Sequence, residues 1–448
     1  MTAVLTAPTA ALPATVGADL EVPLVDGRRV RHVDLDAAAS APPLQAVADH
    51  VVEVLPYYAS VHRGAGYTSR VCTSLLESAR ETVGRFLGAR EDDVVVFTRN
   101  TTDALALLAR AVPGPVLTLD LEHHATLLAW RHTEHRVVTA GDTVAATLDA
   151  LREHVGGHAL VAVTGASNVT GETLPLREIA DLAHAAGARV AVDAAQLAPH
   201  RRVDLAALGV DYVALSGHKL YAPYGAGVLV GRRDWLDAAP AHLAGGGAVR
   251  AVSVTGDVTG TDWLPAPQRH EGGTPNMLGA AALAAACRAL EPVIDTVLPE
   301  HERELAERLR RGLAGIPGVR TLDAFSDAPD RVAVVTLEVG PDGGGLPAGL
   351  VAAALSAEHG IGVRDGRFCA HPLLARLTGG RDAVRASLGL ATTAEDVDRF
   401  VAAIATIVAH GPAWTYALRD GRWVPTPDPR DLDPFRLGDH ADPAGCGR

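Results

Sequence analysis

Arg189-Val190-Ala191-Val192-Asp193 is a short β-branched run closed by an acid, and Leu160-Val161-Ala162-Val163, upstream of it, has the same texture. Between them, Leu176–Ala186 keeps Leu, Ile and Ala on one helical face. Two fully apolar strands joined by a helix form a crossover unit, which brings the strands together in parallel and buries them on both faces. The pattern continues outward in both directions. Val94–Phe97 and Val116–Leu119 read as earlier strands, and Tyr212–Leu215 and Val228–Val230 as later ones. Thr102–Arg110 and a stretch around Ala125–Trp130 read as helices between them. The fold class that follows is α/β, with a mostly parallel seven-stranded sheet held between helices.

The texture changes beyond residue 245. Gly245-Gly246-Gly247 opens a loop-rich stretch that runs to Pro275, followed by an Ala-rich helix from Asn276 to Leu290 and a charged helix, His301–Arg311. Val332–Glu338, Val363–Phe368 and Ala383–Gly389 read as strands, alternating with helices at Leu350–Glu358 and Ala394–Ala409. We expect a disordered start over 1–30 and a large domain over 31–275, its first residues packing with a smaller α+β domain over 276–410. A surface tail over 411–448 completes the division.

Composition narrows the function. The net charge is −13 and no Lys/Arg block is present, which argues against a nucleic-acid partner. No run reaches the ~20 apolar residues that cross a bilayer. Pro8 and Pro13 would interrupt any signal-peptide helix, so the expected address is the cytoplasm. Cys72, Cys287, Cys369 and Cys446 lie far apart and are expected to be thiols. His123, His124, His132 and His135 lack a carboxylate or Cys at ligand spacing, and adjacent His residues point in different directions. No metal is expected.

In open α/β sheets ligands bind beyond the carboxyl ends of the strands. Four polar clusters fall there: Thr98-Arg99-Asn100-Thr101-Thr102, Glu122-His123-His124, Asp193-Ala194-Ala195-Gln196 and Ser216-Gly217-His218-Lys219. A lysine at one strand end and an acid at another suit pyridoxal phosphate. The amine forms a Schiff base with the aldehyde, and the carboxylate keeps the pyridine nitrogen protonated. Thr101 and Thr102 open a helix, where free N–H groups favour a phosphate.

The order of these clusters resembles the class V aminotransferases of PLP fold type I, and within them the cysteine desulfurase/selenocysteine lyase branch. Matching segments include Val61-His62-Arg63-Gly64, Glu122-His123-His124-Ala125, Ser167-Asn168-Val169-Thr170-Gly171, Ser216-Gly217-His218-Lys219-Leu220-Tyr221 and Glu271-Gly272-Gly273-Thr274-Pro275-Asn276. The resemblance covers about residues 33 to 405. It implies that Lys219 holds the cofactor and then moves protons, and that Asp193 pairs with the pyridinium. Gln196 would bind the ring 3′-oxygen, and His123 would stack on the ring. Thr101, Thr102, Ser216 and His218 would hold the phosphate, with Thr274 reaching the phosphate of a neighbouring subunit in a homodimer. Asn168 would face the substrate, and Arg385 would grip its α-carboxylate, with Arg364 beside it.

Cys369 bears on the reaction. Its setting, Arg364-Asp365-Gly366-Arg367-Phe368-Cys369-Ala370-His371, resembles the loop of the nucleophilic cysteine in the desulfurase branch. Arg364, Arg367 and His371 make it electropositive, which favours a thiolate. The resemblance implies removal of sulfur or selenium from L-cysteine or selenocysteine, giving L-alanine and a Cys369 persulfide for a sulfur-acceptor protein. The sequence departs from the branch in having Arg367-Phe368 where His-His is usual. An aminotransferase, epimerase or C–S lyase acting on an amino acid is the alternative, and a non-catalytic PLP-fold module is a third reading.

Overall fold

The computed structural model describes residues 11–340 and 345–436. At the N-terminus, β1 (Glu21–Pro23) and β2 (Arg29–Arg31) form an antiparallel hairpin, followed by β3 (Val33–Asp34). This corrects the expectation of disorder as far as residues 11–30 are concerned; residues 1–10 lie outside the described part. The Asp26-Gly27 turn, with Gly27 at φ 86, closes the hairpin.

Helices α1 (Gln45–Val54) and α2 (Tyr67–Phe86) lead into the central sheet. Its strands are β4 (Asp93–Thr98), β5 (Val116–Leu119), β6 (His135–Val138), β7 (Leu160–Thr164), β8 (Arg189–Asp193), β9 (Tyr212–Ser216) and β10 (Gly227–Arg232). The seven strands lie in the order β4-β10-β9-β8-β7-β5-β6. Only β10 runs antiparallel to its neighbours, β4 and β9; the other pairs are parallel. The fold is therefore the mainly parallel α/β sheet expected from the apolar runs. Alternation along β4 shows why the sheet needs cover on both sides. Val95 enters one apolar core, while Val94 and Val96 enter another on the opposite face.

The covering helices include α3 (Thr101–Ala111), α4 (His124–Leu128), α5 (Val144–His154), α6 (Leu176–Ala185), α7 (Leu205–Leu208) and α8 (Arg233–Ala238). Next comes a hairpin not anticipated in the loop-rich stretch, β11 (Val249–Thr255) with β12 (Val258–Trp263), almost wholly exposed. The Ala-rich helix α9 (Met277–Leu290) was expected to open the smaller unit. Instead Met277, Ala280, Ala281 and Ala284 pack with Val54, Cys72, Leu76 and Ala79 of α1 and α2. Small side chains allow that close approach, and α9 belongs with the central sheet.

Helix α10 (Val297–Ala314) begins the second unit. Its sheet joins β13 (Val319–Thr321), β14 (Val334–Val339), β17 (Ala383–Ser387) and β16 (Arg364–Gly366), in the order β13-β14-β17-β16. Helices α11 (Ala348–His359), α12 (His371–Thr378) and α13 (Ala394–His410) accompany it. Strand β15 (Ile361–Gly362) pairs in parallel with β3, so the start of the chain is stitched onto this unit. Residues expected to be a loose tail fold back as β18 (Tyr416–Arg419) and β19 (Arg422–Pro425). Glu358 on α11 anchors this hairpin by accepting from the Ala413 and Trp414 amides and the Tyr416 hydroxyl. No helix among the described residues is long and apolar enough to cross a membrane.

Candidate active site

The carboxyl ends of β4, β5, β8 and β9 converge on Lys219. Three residues beyond β9, it sits in a turn that its own N–H helps close to the Ser216 carbonyl (3.3 Å). Gly217 is required in that turn, because a Cβ there would lie 2.7 Å from the Ala226 carbonyl oxygen. Lys219 is half-buried, and desolvation pushes its amine pKa down to about 8, with Asp193 opposing that shift. At pH 7.5 roughly a quarter of such amines are unprotonated, against about one in a thousand for an exposed lysine. A neutral amine is what attacks an aldehyde.

Asp193 ends β8 and is buried. Its two oxygens accept from the Thr126 hydroxyl (3.0 Å) and the Ala195 amide (3.0 Å), which fix the carboxylate. His123 caps α4, its Nδ1 accepting from the Ala125 amide at 3.0 Å, so a neutral ring carries its proton on Nε2. Desolvation pushes its pKa down to about 4, and nearby Lys219, His124 and Arg385 add to the effect. Glu122, beside it, is fully buried, and burial raises its pKa well above the usual carboxylate range, against a smaller opposing effect of the Thr164 backbone. That environment favours the neutral acid over the carboxylate.

At the amino end of α3, Thr101 is buried while Thr102 is exposed. The Thr101 amide and hydroxyl both meet the Ser216 hydroxyl, at 2.8 and 2.7 Å. This joins the end of β9 to the helix opening. Gly227 leaves room for the join, since a Cβ there would stand 2.6 Å from the Asn100 Cα. His218 approaches the Ser40 hydroxyl at 3.3 Å. Gln196 is buried with Nε2 donating to the Ala38 carbonyl at 2.6 Å, which leaves its second amide hydrogen for a ligand. Thr274 is the residue not gathered in. It is exposed and lines a separate cavity of about 170 Å³ with Ser60–Arg63.

The second unit supplies the opposite wall. Arg385 on β17 is buried, donating from Nη1 to the Asn168 carbonyl (3.0 Å) and from Nη2 to Asp36 (3.1 Å). Its Nε is buried without a partner among the described residues, a donor still available to a carboxylate. Burial lowers the guanidinium pKa and raises that of Asp36. The Phe368 ring lies under the Arg385 guanidinium at 5.1 Å. Arg364 is the cross-strand partner of Arg385 in the β16–β17 ladder, so both side chains project from one sheet face, Arg364 exposed. Asn168, expected to face the substrate, gives its Nδ2 hydrogen to the Phe368 carbonyl at 2.7 Å instead.

Cys369 follows β16 on a short turn. Phe368 and Cys369 adopt φ of +50° and +53°, a left-handed pair that costs energy in non-glycine residues. Donors from the central sheet hold both carbonyls: Asn168 on Phe368, and the His124 amide on Cys369 at 2.7 Å. Cys369 is half-buried and acts electrostatically on both Lys219 and Arg385, so the thiol belongs to the same site.

Four participants were not read from the sequence: Asp36, Thr126, Phe368 as a guanidinium clamp, and the carbonyl of Ala38. Their contacts join segments distant in the chain or act through shape, which leaves no local signal. One signal was available and unread. Lys219 is the sole lysine of the chain. The donor set fits a phosphorylated pyridine aldehyde: a depressed amine beside a fixed carboxylate, a hydroxyl-lined helix opening, and a buried guanidinium with a spare donor.

The family model Aminotransferase class-V matches residues 33–400. A cysteine desulfurase of Dickeya dadantii is 36% identical over 387 residues, covering 83% of this chain and 90% of that protein. A probable cysteine desulfurase 2 of Mycobacterium leprae is 34% identical over 398 residues, covering 84% and 91%. Among solved structures, an apo cysteine desulfurase from Thermococcus onnurineus NA1 superposes with a TM-score of 0.77 at 30% identity, over 89% of this chain and all of that one. The cysteine desulfurase CsdA of Escherichia coli gives 0.72 at 32% identity, over 83% and 94%. A match over most of the chain, joined to a lysine, an acid and an arginine meeting at the sheet's carboxyl end, means that this chain belongs to the class V aminotransferase family.

Proposed function

We propose that this protein is a pyridoxal-phosphate-dependent cysteine desulfurase-like enzyme, taking sulfur or selenium from L-cysteine or selenocysteine and leaving L-alanine and a Cys369 persulfide. The observation that carries the reading is the position of Cys369: on a short, hydrogen-bonded turn, within electrostatic reach of Lys219 and Arg385.

When bound, pyridoxal phosphate supplies an aldehyde for the lysine and an electron sink for the substrate Cα. Lys219 would hold the cofactor and would move the proton at the substrate Cα. Asp193 would keep the pyridine nitrogen protonated, and His123 and Gln196 would hold the ring. Thr101, Thr102, Ser216 and His218 would hold the phosphate. Arg385, with Arg364 at the rim, fixes the α-carboxylate, while Asn168 shapes the substrate side by steadying the Cys369 turn. The Cys369 thiolate then attacks the substrate sulfur.

We further read residues 31–290 as the cofactor domain, from α9's packing on α1 and α2, and the second unit as the smaller domain that carries Arg385 and Cys369. A homodimer with Thr274 serving the neighbouring site, a sulfur-acceptor protein and a cytoplasmic address complete the proposal. Cys72 and Cys287 are free thiols, in keeping with a reducing compartment.

Incubation of the holoenzyme with L-cysteine and a reductant, followed by assays for alanine and sulfide, tests the activity. Equimolar alanine and sulfide, abolished by Cys369→Ala, is the expected result. Undiminished production by that variant removes the persulfide route. Pyruvate and ammonia would indicate C–S lysis, and a requirement for a keto acid would indicate transamination.

A further inference from the structure

Sulfur transfer through Cys369 needs a group to take the thiol proton, and the two residues before it cannot. Arg367 offers donors only and bonds Asp382 at 3.2 Å, and Phe368 is buried beneath Arg385. Two histidines beside the same turn are candidates instead. His371 opens α12 two residues after Cys369, and its ring meets the His124 ring edge-on, 4.5 Å between centroids and 74° between planes. His124 is tied to the same turn, since its amide donates to the Cys369 carbonyl. Two half-buried imidazoles, from α4 and α12, thus flank the residue that carries the sulfur.

The competing bases are engaged elsewhere. Nδ1 of His123 is occupied by the Ala125 amide, Asp36 is bound to Arg385, and Asp193 is bound by Thr126 and Ala195. Lys219 is needed at the Cα. Charged and titratable groups near the imidazole pair include His123, whose ring lies 6.3 Å from that of His124, and Cys369 itself, which acts electrostatically on Lys219 and Arg385. Desolvation and the neighbouring His371 both lower the pKa of His124. The pair therefore reaches neutral pH unprotonated on the His124 side, with an acceptor available.

We propose that His371, braced edge-on by His124, takes the thiol proton of Cys369 and later delivers it to the substrate Cβ, a role that rests on the desulfurase reading above. The S–H bond breaks and an N–H bond forms on the imidazole. The thiolate pair then makes the S–S bond to the substrate sulfur, while the pair of the broken C–S bond remains with Cβ. The imidazolium proton goes to that carbon and completes the methyl group of alanine. Cβ gains the two electrons that the joined sulfurs lose, so no outside oxidant or reductant enters.

The test uses the holoenzyme of the native chain and of His371→Phe, which keeps a ring against His124, and His371→Gln, which keeps polarity. Single-turnover persulfide formation with L-cysteine and the pH dependence of Cys369 alkylation by iodoacetamide are measured for each. Both variants are expected to slow persulfide formation about 100-fold, within the usual range for loss of a general acid–base group. Their alkylation midpoints should move up by about one pH unit, while the absorbance of the Lys219-bound cofactor stays unchanged. Rates within about twofold of native and midpoints within about 0.3 pH unit of it overturn the proposal. So does loss in His371→Phe with a normal rate in His371→Gln, which marks a polar contact that needs no proton transfer. The two readings fail separately: Cys369→Ala with undiminished sulfide removes the desulfurase reading, whereas its inactivity beside an unimpaired His371→Phe removes only the proton relay.

Discussion

A buried amine has a thermodynamic signature as well as a chemical one. The folded-state pKa of Lys219 is about 8, against an ordinary 10.5, so the unfolded chain binds its proton more tightly. Below pH 8 both states are protonated and the folded state bears the full cost of burying the charge. Between 8 and 10.5 the folded state releases the proton first, and stability rises with pH. In the cofactor-free protein, Lys219→Met should therefore be the more stable form at pH 7, by on the order of 3 kcal/mol. The difference in urea midpoint should shrink as the pH approaches 10.5. A gap that stays constant with pH would mean that the amine is not desolvated. The same residue offers a covalent readout: as the sole lysine, it is the one side chain that borohydride could tie to the cofactor. Its role was legible in the sequence because a strand end, a tight turn and an acid one strand away form a local pattern. Asp36 was illegible, since its value lies in an ion pair with Arg385 across 349 positions of chain.

Secondary elements show the same division between local and distant information. Strands β7, β8 and β9 were legible as unbroken β-branched runs because a parallel sheet buries both faces. The three hairpins were not, although each carries a turn signal: Asp26-Gly27, Gly256-Asp257 and Asp420-Gly421. Gly27, Gly256 and Gly421 take φ of 86°, 61° and 73°, as such turns demand. Their strands are short or exposed, so little hydrophobic contrast marks them. At the phosphate end of the site, an element-level constraint predicts a sharp effect. Asn100 and β10 approach so closely that a methyl group at Gly227 would meet the Asn100 Cα at 2.6 Å and the Leu215 carbonyl at 2.7 Å. Gly227→Ala should push the opening of α3 away from Ser216 and weaken pyridoxal phosphate binding at least about tenfold, with overpacking destabilising the fold by ~1–3 kcal/mol. Equilibrium dialysis of the refilled apoprotein measures the first effect and urea unfolding the second. Unchanged affinity would show that the join between Thr101 and Ser216 does not shape the cradle.

At the scale of the whole molecule, the site spans both units, yet one expected member stands apart. Thr274 is exposed beside Ser60–Arg63, and the chain segments that flank Ser60–Arg63 carry exposed Val52, Leu55, Tyr57, Tyr58 and Tyr67, the last 75% exposed. Exposed apolar side chains so close along a chain favour burial against a partner. If that partner is a second copy, Thr274 can serve the other copy's Lys219, and the arrangement has a numerical consequence. Lys219→Ala and Thr274→Ala are each impaired alone. In a mixed dimer the site with intact Lys219 receives its threonine from the Lys219→Ala chain and is whole, while the other site carries both defects. Co-refolding the two variants in equal amounts gives half mixed dimers by random assortment, each with one whole site of two. Desulfuration should therefore return to about a quarter of the native level per subunit, with a dimer mass by light scattering. Were Thr274 to serve its own chain, no pairing could make a whole site, and the mixture would show only the average of the two impaired activities.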